Sequence, residues 1–273
     1  MTSPSIPIRF PKKQQVSFKI ENWLPWLVPT LLLLIWQFSV QWGLVSARFL
    51  PSPLDVVQAS WKLTLSGELP QNVWVSLGRA LKAFAVGGGI GFALGLLNGS
   101  LRMGEWLLDS SLQMLRNIPN LALIPLVILW FGIGDEAKLV LMSLGVFFPM
   151  YINTFYGIRS VDPGLVEMGR VYGLKPWQIF RHILLPGALP SILVGVRFAL
   201  GIMWLTLIVA ETIAADSGIG FMATNAREFM RTDVVMLSVL LYALFGKLAD
   251  LITKWLEWFL LPWHPNQWKG RST

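Results

Sequence analysis

The sequence predicts an all-α protein that crosses a membrane several times, with six transmembrane helices and a two-helix loop between the fourth and the fifth. The 273 residues are 54% hydrophobic and only 14% charged, with a mean hydropathy of +0.58, which is too apolar for ordinary soluble domains. Apolar runs of about 20 residues, enough to cross the hydrocarbon core as helices, recur along the chain. The cations lie at the ends of these runs, so the formal charge of +7 indicates membrane orientation rather than nucleic-acid binding.

Six apolar runs are long enough to be transmembrane helices. The third is the shortest, and its two prolines, Pro119 and Pro125, each remove a backbone donor and should bend it or shorten its helical part. The runs extend from about Trp23 to Trp42, Leu77 to Asn98, Leu115 to Phe131, Lys138 to Tyr156, Ser191 to Ile213 and Val234 to Leu256.

The distribution of Lys and Arg predicts the orientation. With the N-terminus in the cytoplasm, internal segments hold twelve Lys and Arg residues and external segments seven, which favours cytoplasmic N- and C-termini. The first apolar run could instead belong to a signal peptide, because small residues follow it at Val45–Ala47. Its spanning length and its tryptophans favour a retained helix. The chain has no cysteine, so neither disulfides nor thiolate chemistry can contribute.

The predicted cytoplasmic loop, residues 163–186, has clear helix start and stop signals. Asp162 can cap a helix that begins at Pro163, and Gly173 suits the left-handed residue that closes it. Pro176 should start a second short helix that stops before Pro186, because proline disfavours helical backbone in the residue before it. The pattern therefore predicts two short helices joined by a glycine hinge.

The loop carries Glu167, Gly173, Ile183, Leu185 and Pro186 at fixed spacings. This pattern resembles a motif of ABC importer permeases. That motif is Glu-Ala-Ala, three residues, Gly, nine residues, Ile, one residue and Leu-Pro. Met168 and Gly169 replace its two alanines. The resemblance implies that the loop docks in a groove of an ATPase subunit and couples it to the membrane part, whereas the alternative is a merely structural amphipathic loop. The residues that match the fixed positions are Glu167, Gly173, Ile183, Leu185 and Pro186.

The resemblance covers nearly the whole chain from about residue 23. The stretches "FLPSPLDVV", "MLRNIPNLALIPLVILWFGIG" and "GVRFALGIMWLTLIVAETIAADSGIGFMATNAREF" are similar to permeases for nitrate, taurine and alkanesulfonates, and most of all to the aliphatic sulfonate branch. This implies a bacterial inner-membrane location. The implied divisions are a cytoplasmic tail at 1–22, a first span with its periplasmic loop at 23–76, a transmembrane core at 77–258 and a cytoplasmic tail at 259–273.

The family resemblance also implies the partners. The sequence contains no Gly-x-x-x-x-Gly-Lys-Ser/Thr phosphate loop, so ATP and Mg²⁺ would be used by two separate ATPase subunits, and no cofactor is expected in this chain. One coupling loop per chain predicts a homodimer, served by an external substrate-binding protein. The sequence shows neither a catalytic constellation nor metal-ligand spacing. An ion-coupled secondary transporter is the rival class, and it would need an intramembrane acid that titrates or binds Na⁺.

Glycines in the second run recur every fourth residue, at Gly87, Gly91, Gly95 and Gly99. This spacing predicts a flat stripe against which another helix can pack closely, rather than a nucleotide-binding loop.

Ionisable residues within spans need a partner or a wet cavity. Arg197 and Glu211 both lie in the fifth run, too far apart to pair with each other. Arg197 could bond to carbonyls of a neighbouring helix or reach the cytoplasmic surface, or it could line the inner mouth of an anion pathway. Glu211, Asp216 and Asn225 lie in or beside a segment that the resemblance places near the external gate, and a solvated loop is the alternative.

Overall fold

A computed structural model describes residues 24–101 and 114–263, with the backbone alone for residues 24–26 and 214. The predicted tail at 1–22 and the last part of the tail at 259–273 lie outside the described residues. Every regular element within the described ranges is helical, which agrees with the all-α prediction. The α-helices are α1 (Leu24–Gln41), α2 (Pro53–Leu65), α3 (Glu68–Ala83), α4 (Gly89–Ser100), α5 (Ile124–Phe131), α6 (Asp135–Arg159), α7 (Pro163–Val171), α8 (Pro176–Ile179), α9 (Leu185–Ala214), α10 (Ile219–Glu228) and α11 (Thr232–Leu260).

The chain divides into two compact units, Met1–Asp55 and Val56–Thr273. In the first unit, the segment after α1 folds back towards that helix. The indole Nε1 of Trp36 donates to the backbone oxygen of Pro51 at 3.0 Å. This bond satisfies the polar edge of a tryptophan whose ring lies on an otherwise apolar helix.

The second unit contains most of the membrane-spanning structure. Four of its helical segments are long and apolar enough to cross a membrane, namely Glu68–Ser100, Asp135–Arg159, Pro176–Ile213 and Thr232–Leu260. They correspond to the predicted second, fourth, fifth and sixth spans. The first of them begins well before the predicted Leu77, because a π-helical turn at Phe84–Gly88 joins α3 and α4 into one segment.

The predicted first and third spans correspond to shorter apolar helices, Leu27–Gln41 and Asn120–Phe131. The third is interrupted as its prolines suggest: Pro119 precedes a 3₁₀ turn at Asn120–Leu123, and Pro125 lies in the first turn of α5. The helix ends at Gly132, whose φ of +76° favours glycine.

The glycine stripe of the second long segment lies directly against α6. A methyl group on Gly91 would come within 2.5 Å of the backbone oxygen of Phe147, and one on Gly95 within 2.7 Å of Cβ of Thr154. Gly87 faces the backbone of Ser143 even more closely. A methyl on Gly99 would lie 2.9 Å from Cβ of Ile158. Because these glycines have no side chains, the backbone of the segment that carries them comes into contact with α6.

The core of the second unit lies between α6 and α9, with α3 and α11 packed around them. Its buried side chains are mostly small or flexible, so that the helices pack closely. They are Ala80, Ala83, Met142, Val146, Met150, Ala199, Met203, Trp204, Leu207 and Ala249.

Replacing Gly91 by alanine is expected to destabilise the protein, and replacing Gly89 is not. Nothing lies within 4 Å of a Cβ built on Gly89, so Gly89→Ala should gain up to about 1 kcal/mol of helix propensity. Gly91→Ala gains the same propensity but forces α4 away from the backbone of α6, at a cost of about 1–3 kcal/mol. Thermal unfolding of the detergent-solubilised variants measures the difference, and equal melting temperatures would contradict the close helix contact.

Candidate functional site

The predicted coupling loop begins with a capped helix. The Oδ1 of Asp162 accepts a hydrogen bond from the backbone N–H of Gly164 at 2.8 Å, and Pro163 occupies the first helical position. At the other end Gly173 has a φ of +76°, and the N–H of Leu174 donates to the oxygen of Gly169 at 3.0 Å. Both end signals therefore lie where the sequence places them.

The second half of the loop differs from the prediction. The sequence suggests a short helix that stops before Pro186, but α8 continues through a π-helical turn, Phe180–Leu184, into α9. Pro186 lies in the first turn of α9, next to the wider π turn. Its missing N–H therefore costs less stability there than it would inside a regular helix. The continuous helix from Pro176 to Ile213 therefore joins the loop to the fifth predicted span without a break.

The two halves of the loop pack against each other. Gly169 is buried, and a methyl group on it would lie 2.7 Å from Cδ1 of Ile183, so α7 rests on the continuous helix. The alanine of the family motif would fit here only after a small shift of that flexible side chain. Leu185 and Pro186 are half-buried at the start of α9.

The exposed surface of the loop carries both charged and apolar side chains. Glu167 and Gly173 are exposed, and within the part of the chain that the structure describes no ion pair joins Glu167 to Arg170. We name the exposed apolar residues of the loop the loop patch. They are Leu165, Met168, Val171, Tyr172 and Trp177.

A second polar arrangement, the Arg79–Glu211 cluster, lies at the other end of α9. Glu211 is 1% exposed and accepts a hydrogen bond from Nη1 of Arg79 at 2.9 Å. Both of its carboxylate oxygens lie within 2.8 Å of the Ser76 hydroxyl, and the backbone N–H of Gly220 donates to Oε2 at 2.9 Å. The hydroxyl of Tyr242 lies 3.5 Å from the same oxygen. The buried carboxylate is thus paired and surrounded by donors, as a charge in this position requires.

Arg79 extends the cluster to α6 and to the turn before α10. Its Nη2 lies 2.7 Å from Oδ1 of Asp135, and Nη1 donates to the backbone oxygen of Ser217 at 2.6 Å. The turn itself bonds back to α3, because the N–H of Gly218 donates to Oδ1 of Asn72 at 2.8 Å. Gly218 has a φ of +110°, which favours glycine there. The cluster consequently ties α3, α6, α9 and α10 together.

Arg79 belongs to the site, although the sequence alone does not single it out. Arg79 is one of the seven Lys and Arg residues that the orientation analysis assigns to external segments, yet its side chain is buried. A signal was present: Asn72, Ser76 and Arg79 follow the four- and three-residue steps of one helix face within an amphipathic helix. Such a polar stripe on an amphipathic helix indicates where a partner for the buried Glu211 can lie.

The remaining candidates are dispersed. Asp216 is exposed in the turn after α9, with the Ser217 hydroxyl 3.4 Å from its Oδ1, and Asn225 is half-buried on α10. Arg197 pairs with two acids of α11: its Nη2 lies 2.9 Å from Oε1 of Glu257, and its Nε 3.6 Å from Oδ1 of Asp250. These pairs place two acids of a neighbouring helix beside the Arg197 charge, where the sequence suggested backbone carbonyls.

Comparison with known proteins identifies the family. Residues 87–259 match the family described as "Binding-protein-dependent transport system inner membrane component". The chain belongs to this family of ABC importer permeases. It is a permease subunit of a binding-protein-dependent ABC importer in the inner membrane, and it is not itself an enzyme, which confirms the family inferred from the sequence.

Curated relatives of this permease cover almost its full length. It is 58% identical over 250 residues to a protein of Escherichia coli (strain K12) named as the aliphatic sulfonates transport permease SsuC, with 90% of this chain and 95% of the relative covered. The protein of the same name in Bacillus subtilis (strain 168) is 45% identical over 244 residues, covering 89% and 88%. The taurine transport permease TauC of E. coli K12 is 34% identical over 263 residues, covering 94% and 93%.

Solved structures show the same fold at low sequence identity. A structure of the MetNI methionine ABC transporter in an inward-facing conformation matches with a TM-score of 0.53 at 22% identity, covering 67% of this chain and 93% of that one. An amino acid ABC transporter solved with histidines gives a TM-score of 0.54 at 18% identity, covering 74% and 97%. The all-helical ABC importer permease fold is therefore established for this chain.

Proposed function

We propose that this permease imports aliphatic sulfonates, delivered by an external binding protein and driven by two separate ATPase subunits that use ATP and Mg²⁺. The observation that carries the substrate class is the 58% identity, across nearly both full lengths, to a protein named for aliphatic sulfonates. The taurine permease is related at only 34% identity. Permeases for taurine, nitrate or bicarbonate remain the alternatives in the same group.

In the proposed topology, residues 23–76 hold the first span and a periplasmic loop, 77–258 the transmembrane core, and the tails at 1–22 and 259–273 are cytoplasmic. The apolar helices Leu27–Gln41 and Asn120–Phe131 join the four long segments as the first and third of six spans. An even number of spans agrees with two cytoplasmic termini, which the Lys and Arg distribution favours.

The coupling loop at 163–186 is proposed to be the contact with the ATPase. Its loop patch offers exposed apolar side chains of the kind that bind in a groove, and Glu167 lies exposed on the same helix. Because α7 rests on the helix that continues into α9, a displacement of the loop would be transmitted to the fifth span. ATP binding can shift the membrane part from one conformation to another only if the ATP-bound ATPase subunits bind the two conformations with different free energies.

A homodimer is the proposed assembly. Each chain has one coupling loop, and two loops are needed for two ATPase subunits. The many apolar side chains exposed on the spans, including Leu129, Trp130 and Leu205, then lie against lipid or against the second copy.

The Arg79–Glu211 cluster is proposed to hold the periplasmic ends of the spans near the external gate. Asp216 and Asn225 lie beside it, on the side where the binding protein would dock. Arg197 lies nearer the other end of α9, and its two acid partners favour a bracing role between α9 and α11 over a free cation in the anion pathway.

Growth on a single sulfur source tests the substrate class. A strain that lacks this permease and any redundant carrier is expected to stop growing on hexanesulfonate, to resume growth when the gene is restored, and to grow normally on sulfate throughout. Normal growth of the deletion strain on hexanesulfonate would contradict the proposal. A defect confined to taurine would support the taurine alternative instead.

A further inference from the structure

A cavity of about 410 Å³ opens between α6, α9 and the segment that leads into α5. This volume lies within the range of about 300–1,000 Å³ that is usual for small-molecule sites. The α6 part of its wall includes Phe148 and Asn153, the α9 part Phe198 and Ile202, and the remaining part Arg116 and Asn120. The cavity lies along the middle of α6 and of α9, away from both the loop patch and the Arg79–Glu211 cluster.

Arg116 is the one ionisable side chain among the described residues that line this cavity. It is exposed, and none of the ion pairs among residues 24–101 and 114–263 involves it. Arg197 differs, because it is paired with two acids. A guanidinium next to a membrane cavity, with no ion-pair partner among the described residues, is suited to receive an anion.

Two amide side chains add neutral donors to the same cavity. Asn120 donates through Nδ2 to the backbone oxygen of Leu141 at 3.1 Å, and Asn153 through Nδ2 to that of Pro149 at 2.8 Å. These bonds hold each amide in place, and a second N–H on each nitrogen is left over. The three oxygens of a sulfonate are acceptors only and match such donors together with the guanidinium.

The rest of the lining is mainly apolar, with Phe148, Phe198 and Ile202 among the side chains. An alkyl chain would be favourable there, since burying each CH₂ group contributes about 0.8 kcal/mol. No Asp or Glu is found among the described lining residues, so the ammonium group of taurine would meet no carboxylate. The lining thus favours an alkanesulfonate over an aminoalkanesulfonate.

We propose that this cavity binds the alkanesulfonate during translocation, with Arg116 and the amides of Asn120 and Asn153 holding the sulfonate and the apolar wall holding the alkyl chain. The inference rests on the proposed function for the identity of the anion. It adds a selectivity step within the membrane to the selection made by the binding protein.

Cysteine labelling tests the cavity directly, because the chain contains no cysteine of its own. In an Ile202→Cys variant, reconstituted with its ATPase and binding protein, the anionic sulfonatoethyl methanethiosulfonate should react at least about tenfold faster than the cationic trimethylammonioethyl reagent. Each rate is first divided by the rate of that reagent with a small thiol. Hexanesulfonate should slow the labelling, and taurine at the same concentration should not. Thr212→Cys, an exposed polar position on α9 outside the cavity, is the matched control and should show neither effect.

Variants of Arg116 separate a binding role from a structural one. Adding Arg116→Gln should abolish the charge preference of labelling, whereas adding Arg116→Lys should keep it. In proteoliposomes, Arg116→Gln without the cysteine should lower hexanesulfonate import at least about tenfold, while the loaded binding protein still stimulates ATP hydrolysis.

The outcomes distinguish the two proposals. If the unsubstituted transporter imports hexanesulfonate, but Arg116→Gln imports it equally well and the labelling shows no charge preference, the cavity proposal is overturned and the proposed function stands. If the unsubstituted transporter hydrolyses ATP but does not import hexanesulfonate, both are overturned.

Discussion

Replacing Glu211 by alanine is expected to destabilise the permease strongly, because Glu211 is the buried partner of Arg79. Removing one partner of a buried ion pair costs about 3–5 kcal/mol, because the other charge stays buried. Arg79 is 6% exposed, and its remaining partner Asp135 lies largely in the open, with a side chain 66% exposed. The substitution also leaves the Ser76 hydroxyl and the N–H of Gly220 without the carboxylate.

Thermal unfolding of the detergent-solubilised variants measures this effect. Asp216→Ala is the matched control, since this carboxylate is exposed and lies only five residues further along the chain. It should shift the melting temperature little, because surface substitutions usually change stability by less than about 0.5 kcal/mol. A Glu211→Ala variant as stable as Asp216→Ala would show that the cluster does not hold the four helices together.

A double substitution refines the test. If Arg79 and Glu211 depend on each other, Arg79→Ala combined with Glu211→Ala should cost less than the sum of the two single changes, by about 0.5–3 kcal/mol. Additive losses would mean that the two side chains act independently, for example through Asp135 and Ser76 separately.

The sequence could predict the elements whose signals are local. The start of α7 at Pro163 and its closure by the left-handed Gly173, two residues after Val171, follow from local signals that act over a few residues. The glycine repeat likewise identified a helix face, although it could not name α6 as the partner, because spacing along one helix carries no information on what packs against it.

The features that the sequence does not predict depend on another part of the chain or on a local departure from the α-helix. Pro186 predicts a stop, yet a π-helical turn carries the helix past it into α9. Glu211 needs a partner, but that partner is 132 residues away on α3. The cavity brings together Arg116, Asn153 and Ile202, which no local pattern connects.

Reversing the charge of Glu167 is expected to uncouple the permease from its ATPase without harming its fold. Glu167 is exposed, and no ion pair within the described residues involves it, so Glu167→Lys should leave thermal unfolding nearly unchanged. An effect on import must then come from a partner. A hot-spot residue of an interface contributes about 2 kcal/mol or more, and at such a position the change lowers the affinity for the ATPase roughly thirtyfold.

Co-purification of the ATPase subunits and sulfonate import into proteoliposomes measure this loss together. Glu136→Lys is the control, because it makes the same change on an exposed glutamate at the opposite end of α6 from the coupling loop. That variant should keep its ATPase. If Glu167→Lys also bound the ATPase and imported at the full rate, the charge on α7 would have no part in the contact. The loop patch around it would then have to be tested alone, beginning with Met168→Asp. Should that change be tolerated as well, the loop would not be the route by which ATP hydrolysis moves α9.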